Sequence, residues 1–446
     1  MEWKGLSRGT RILSIALVII LLFCETAWLV FVAPTDVTRY QCYALTFWLG
    51  SHGTSLLPQA QCAFLHIASP QPAFHMLPIE YPPLTILLFS LALAAPLPYY
   101  QLAFALLMVL TVMLVYWLLL RSGPRGSALL FALYLVLGAC AIVQVRFDIL
   151  PAALTLLCAI AVKRNRWTTA YVALAFGVLL KLYPILLLPA LFIAEQQTQG
   201  DLSFPAEPLP LRAVPEQIWH TSRGALHWQW KPMLTFLGIL LVVTGGFALL
   251  NFQGAILSPL SYFAQRPAQI ESIDSSVLWL ARQFGASWQV VYSYGSLNVL
   301  SNVTGAVSLV GTCGLALGVL LTLWLQWRRR IDFVQTCIAL LLVLIATGKV
   351  FSPQYLIWLI PLLAYAGANT TFWMWSWGAI SLLTTFIYIF FYSHLSSPES
   401  APQTIQSLPG FFAMVGIRNA LLVFTALAYL CNWFQAREHR RTPPPA

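Results

Sequence analysis

One feature limits the fold more than any other. Apolar runs of about 20 residues, the length a helix needs to cross a bilayer, recur along the chain, with short basic clusters between them. A chain with that rhythm has lipid as its main solvent, where every backbone N–H and C=O must be paired internally. Hydrophobic residues make up 59% of it and charged residues only 9%, against about 25% charged in a soluble domain. The first run, Ile12 to Val32, follows Lys4, Arg8 and Arg11. It is longer than a secretory signal core and no small-x-small cleavage site follows it, so it reads as a retained signal-anchor.

The net charge of +10 could suggest nucleic acid, but its distribution does not. Arg121/Arg125, Lys163/Arg164/Arg166, Arg328/Arg329/Arg330 and Arg437/Arg440/Arg441 sit between apolar runs, the pattern of cytoplasmic loops under the positive-inside rule. Requiring all of them on one side gives about twelve crossings and both termini in the cytoplasm of a plasma-membrane protein. The expected fold is an all-α polytopic bundle with a large first outer loop (34–80) and a second outer loop (252–300). A re-entrant or surface helix is expected near 82–96, bounded by Pro96-Leu-Pro98, and a proline-containing cytoplasmic loop at 196–231. Residues 1–434 form a single membrane domain, and 435–446 a basic, proline-rich tail. Expected helices include 127–145, 149–163, 167–180 and 183–195. Six of the eight cysteines fall in or beside apolar runs, where a buried thiol is ordinary. Cys42 and Cys62 share the first outer loop, where a disulfide is allowed, and are the candidate pair.

With the basic clusters inside, the outer face keeps the acids Asp36, Glu80, Asp148, Glu271, Asp274 and Glu399. Its bases are Arg39, Arg146, Lys181, Arg266, Arg282 and Lys349, with Arg418 close by. Ionisable groups beside lipid are costly and mark pathways or reactions. Outward-facing bases defy the positive-inside bias, so an anion, such as a phosphate at the membrane surface, is expected to offset them. Asp36, just beyond the first run, stands at head-group height. It has two open readings: a general base on a hydroxyl held there, or a cap on the helix that follows. Arg146-Phe-Asp148 reads equally as an ion pair within a tight turn, and Lys181 and Lys349 as snorkelling lysines. Yet three separate turns place a Lys or Arg beside an aromatic, a wall suited to a phosphate carrying a sugar.

No glycine-rich phosphate loop follows a strand, and no segment is long enough for a nucleotide-binding domain. The histidines and cysteines lack zinc spacing, and no Ser-His-Asp set gathers outside. No cofactor is expected, and a need for a divalent metal stays open. An activated substrate would therefore arrive through the membrane and not as a nucleotide-sugar.

Five stretches in order carry a family resemblance: Glu80-Tyr-Pro-Pro83; Arg146-Phe-Asp-Ile-Leu-Pro-Ala-Ala-Leu154 with Gly177-Val-Leu-Leu-Lys-Leu-Tyr-Pro-Ile-Leu-Leu-Leu-Pro189; Arg266-Pro-Ala-Gln-Ile-Glu-Ser272; and Gly348-Lys-Val-Phe-Ser-Pro-Gln-Tyr-Leu-Ile-Trp358. They resemble the signature segments of glycosyltransferase family 87, in the GT-C superfamily. The resemblance implies a polyprenyl-phosphate-sugar-dependent transferase, often an α-mannosyltransferase, with a lipid or glycan acceptor and an extracytoplasmic active site. It implies Asp36 as catalytic base. With these motifs and the outer charges, the donor-binding candidates are Arg146, Asp148, Lys181, Tyr183, Arg266, Gln269, Glu271, Ser272, Lys349, Gln354 and Tyr355, with Arg39, Tyr40, Glu80 and Tyr81 as further candidates. Two other readings stay open. One is a transporter or flippase of lipid-linked saccharide, which would place its charges at the midplane. The other is an outer-face polysaccharide polymerase or ligase, which would depend on the outer arginines but not on Asp36.

Overall fold

The computed structural model describes residues 35–65, 67, 69–199, 229–395, 397 and 399–435. The expected first crossing, Cys24, the greater part of the loop 196–231 and the tail beyond 435 lie outside the described residues.

Ahead of the bundle come α1 (Thr35–Leu49), a single turn at Gln59–Cys62 and α2 (Thr85–Leu91). The bundle then runs through α3 (Tyr100–Ser122), α4 (Ser127–Ala139), α5 (Ile149–Lys163), α6 (Trp167–Leu180), α7 (Leu188–Gln199) and α8 (Lys231–Leu250). Between α8 and the next long helix lie α9 (Ser258–Gln265), α10 (Ile273–Arg282) and three short strands, β1 (Ala268–Gln269), β2 (Gln289–Ser293) and β3 (Ser296–Leu300). The chain ends with α11 (Thr304–Trp327), α12 (Phe333–Thr347), α13 (Tyr355–Ala366), α14 (Thr371–Phe386), α15 (Ala401–Ser407) and α16 (Phe411–Gln435). The sheet order is β1-β3-β2, antiparallel throughout, with Val299 opposite both Ala268 and Val290.

The chain is an all-α polytopic membrane protein with this one small sheet. Five described helical stretches are long and apolar enough to span a membrane: Leu97–Ser122, Lys231–Leu250, Thr304–Trp327, Thr371–Phe391 and Phe411–Cys431. α12 and α13 are apolar all round and buried nearly throughout, as a central helix must be. α8 and α11 instead expose Leu241, Val242, Leu249, Val310 and Leu317. Such a band is unfavourable in water and natural against acyl chains. α6 packs on α5 and α8, while α13 packs on α4 and α5.

This packing sorts the charges. α5 runs from Asp148 at one end to Lys163 at the other, and α12 runs from the capping residue Asp332, beside Arg328–Arg330, towards Lys349. α13, which follows Lys349 after a short loop, meets Asp148 through Trp358 near its start and Lys163 through Tyr365 near its end, and Arg164 bonds Ser122 beside Arg121, so Asp148 and Lys349 share one end and the Arg121 and Lys163 clusters share the other.

Several expectations need correction. The stretch 34–80 is no plain loop: α1 turns Tyr40, Tyr43 and Phe47 into the core. The stretch 252–300 holds two helices and the sheet. The helix expected over 127–145 stops at Ala139, and the one expected over 183–195 begins as a tight turn at Tyr183–Leu187. These elements pair polar and apolar faces over short spans, so no 20-residue apolar run announces them. Within 82–96, where a re-entrant or surface helix is expected, lies α2 followed by a tight turn at Ala92–Ala94. Cys42 and Cys62 are joined by a disulfide, with Cα atoms 5.8 Å apart. It staples α1 to the turn at Gln59–Cys62.

Candidate active site

Asp36 occupies the first turn of α1, and its Oδ2 lies 2.5 Å from Nη2 of Arg146. Arg146 comes from the turn between α4 and α5. The pair therefore joins the two chain segments that the sequence singled out separately. Both side chains are about one-fifth exposed, so the carboxylate is held by a charge-assisted bond but not sealed from a ligand. Arg146 is also within electrostatic reach of the Tyr40, Tyr81 and Tyr388 hydroxyls.

Two residues on, Asp148 is wholly buried. It does not pair with Arg146 across the tight turn, as one sequence reading had it. Its Oδ1 receives Nζ of Lys181 at 2.5 Å and the indole N–H of Trp358 at 2.6 Å. Its Oδ2 has no hydrogen-bond partner among the described residues. Lys181 is no snorkelling lysine: α6 ends at Leu180, and the ammonium turns inward over the rings of Phe147 (5.0 Å) and Trp358 (5.5 Å). Burial pushes its pKa below the ordinary lysine value, with Asp148 opposing the shift. Trp358 is sandwiched between Tyr183 and Tyr355, with centroids 4.1 and 3.9 Å away. Two elements, the Tyr183–Leu187 turn and α13, thus contribute one aromatic wall beside the buried pair.

On the other flank, Arg39, one turn along α1 from Asp36, bonds Glu80 at 2.8 Å and lies over Phe64. The single Tyr262 O–H is shared between two acceptors, the Tyr294 carbonyl at 2.7 Å and the Glu80 carboxylate at 3.2 Å. Burial, and then Glu80, raise its pKa, so the phenol keeps its proton and stays a donor. The β2–β3 hairpin turns on Tyr294 and Gly295, both at positive φ, the geometry that matches strand twist. A Cβ at Gly295 would lie 2.7 Å from Nη1 of Arg39, so a side chain there would push the guanidinium aside as well as strain the turn. Arg266 bonds Ser296 at 2.8 Å and lies over Tyr262.

The remaining residues of the expected set form a second layer. Lys349 donates to the Ala264 carbonyl at 3.1 Å, and its pKa is lowered, chiefly by burial. Its own carbonyl accepts the Gln269 N–H at 2.9 Å. Gln269 Oε1 has no partner among the described residues. Gln354 accepts from Ser352 at 2.5 Å. Ser272 caps α10. Glu271 is buried, with Oε2 on Arg418 (3.0 Å) and Oε1 on the Tyr392 hydroxyl (2.8 Å).

The structure therefore brings Asp36, Arg39, Tyr40, Glu80, Tyr81, Arg146, Asp148, Lys181, Tyr183 and Tyr355 to one end of the bundle, with Arg266 and Lys349 beside them. Glu271 and Ser272 are tied to α16, through Arg418 and Asn419. Sequence reasoning missed Trp358, Tyr262 and Tyr388. Trp358 closes the last quoted motif, and Tyr262 precedes Arg266 by one helical turn, but a lone aromatic gives no signal of what its polar atom will meet. No three His, Cys, Asp or Glu side chains among the described residues are grouped to hold a metal ion.

Residues 80–206, which supply Glu80, Arg146, Asp148, Lys181 and Tyr183, match the model of glycosyltransferase family 87. Through this segment the chain is similar to that family. No curated protein matches it. Among solved structures, ArnT from Cupriavidus metallidurans in the apo state is similar at 13% identity, with a TM-score of 0.43, over 95% of this chain and 77% of that one.

Proposed function

We propose that this protein moves a sugar, mannose as the first candidate, from a polyprenyl-phosphate donor to a lipid or glycan acceptor on the extracytoplasmic face of the plasma membrane. The observation that carries the reading is the clustering of Asp36, Arg146, Asp148 and Lys181, with Arg39, Arg266 and Lys349 around them, at the end of the bundle away from the basic clusters.

The reaction is a single displacement of GT-C type. Asp36 accepts the proton of the acceptor hydroxyl while that oxygen forms its bond to the anomeric carbon. The bond from that carbon to the phosphate oxygen breaks, and its electron pair leaves with the polyprenyl phosphate. Attack opposite the leaving group inverts the anomeric centre, whereas two facing carboxylates with a water between them would describe a glycosidase. Arg146 pairs with the Asp36 carboxylate and, with Lys181, Arg266 and Lys349, offers positive charge to the departing phosphate. The unpartnered Oδ2 of Asp148 is suited to accept from a sugar hydroxyl, and the Tyr183–Trp358–Tyr355 stack to support a ring.

Transfer of radiolabelled mannose from polyprenyl-phosphate-mannose, in membranes carrying wild type or Asp36→Asn, tests both halves. Activity in wild type and at least a hundredfold loss in a folded Asp36→Asn protein is the expected result. Equal turnover by the two proteins would remove Asp36 from the chemistry.

A further inference from the structure

The residue least at home in its helix is Arg418. It lies in the membrane-spanning stretch Phe411–Cys431, with no exposed side-chain surface. A charge there is costly and is retained for a purpose. Its partners all belong to two loops outside its own helix, apart from its neighbour Asn419. Nη1 bonds Glu271 Oε2 at 3.0 Å, Nη2 donates to the Glu271 carbonyl at 2.6 Å, and Nε donates to Asn419 Oδ1 at 3.1 Å. Asn419 Nδ2 in turn lies within 3.1 Å of the carbonyls of Glu271 and Ser272 and the hydroxyl of Ser276. The guanidinium carbon stands 3.8 Å from the ring centroid of Phe351. Phe351 belongs to the loop that carries Lys349, and that loop is tied to the first by the Gln269–Lys349 backbone bond.

We propose that Arg418 and Asn419 form a positioning clamp: one guanidinium fixes the turn that presents Arg266 and Gln269 and the loop that presents Lys349, so that both meet the donor phosphate in one geometry. The substrate part of this statement rests on the transferase reading above. Arg418 touches none of Asp36, Arg146 or Lys181 in any recorded bond, so its action passes through the loops. Apolar side chains could attach a helix to a turn as firmly as a buried ion pair does. What they cannot do is hold a carbonyl, a carboxylate and an aromatic face at fixed angles, which a planar fork of five donors does. A misplacement of about 1 Å at a binding group is enough to cost about a hundredfold in rate.

The discriminating variant is the apolar replacement Arg418→Met/Glu271→Leu, with Arg418→Lys as a charge-conserving partner. In the intact protein in nanodiscs, thermal unfolding of the double variant is expected to match or exceed wild type. Its KM for polyprenyl-phosphate-mannose is expected to rise about tenfold, with the acceptor KM unchanged. Arg418→Lys should raise the donor KM by a similar factor despite its charge. A double variant that folds and keeps the wild-type donor KM would overturn the clamp. Hydrogen exchange over 264–276 and 349–355 gives a readout independent of activity. Faster exchange in both segments of the double variant supports the clamp, and unchanged exchange overturns it. Wild type that transfers no sugar, combined with faster exchange in the variant, would fault the transferase reading and leave the clamp standing.

Discussion

Lys181→Met is the most informative perturbation of the site's stability. In wild type the ammonium is 15% exposed and its partner Asp148 only 1%, so solvent screens the pair little. Removing the lysine leaves a carboxylate in a wholly buried place, with the Trp358 N–H as its remaining recorded donor. Breaking a buried pair in this way costs about 3–5 kcal/mol. The surviving indole bond, made to a charged acceptor, keeps about 1.5–3 kcal/mol of interaction in place. The expected loss for Lys181→Met therefore sits at the lower end of that range, about 3 kcal/mol. Asp148→Asn keeps an acceptor for Trp358 while removing the charge. The double variant should then recover most of the Lys181→Met loss, so the two single effects do not add. The assay is denaturant unfolding in mixed micelles followed by tryptophan fluorescence, on all four members of the cycle. A loss below about 1 kcal/mol in Lys181→Met, or single effects that simply add, would refute the reading of these residues as a desolvated pair.

Two further outcomes are expected. The Lys349 ammonium, destabilised by burial, loses its charge at a lower pH than an ordinary lysine. The charged form exists below the pKa, so as pH rises through that lowered value the donor KM should climb early. Lys349→Arg, which stays charged, should push the climb to higher pH; a steady-state pH series on both proteins decides it, and identical profiles would discharge Lys349 from phosphate binding. Cys42 and Cys62 are 20 residues apart in sequence, so cutting their bond should cost about 3 kcal/mol by loop entropy. Thermal unfolding of Cys62→Ser, together with maleimide labelling before and after reduction, checks both the loss and the presence of the bond.

The sequence by itself determined the solvent and the broad architecture. The 59% hydrophobic content and the spacing of the basic clusters left helices in lipid as the fold, because unpaired backbone is not tolerated there. It also gave up the candidate residues, since in so apolar a chain each outer charge stands out. Motif order carried the family resemblance, and the matched segment 80–206 contains the Arg146 and Lys181 stretches. What it could not fix was pairing. Arg146 and Asp148 are neighbours that part company, one to Asp36 in α1 and the other to Lys181 after α6. Only the packing of α5 between its neighbours decides which partner each one meets. Glu271 looked as exposed in the sequence as Glu80, yet α16 brings Arg418 down on it from 147 residues away. The short helices and the sheet between α8 and α11 were hidden for a related reason. Their stability comes from contacts made across the bundle, and a one-dimensional hydropathy pattern records burial along a helix but not which distant side chain completes it.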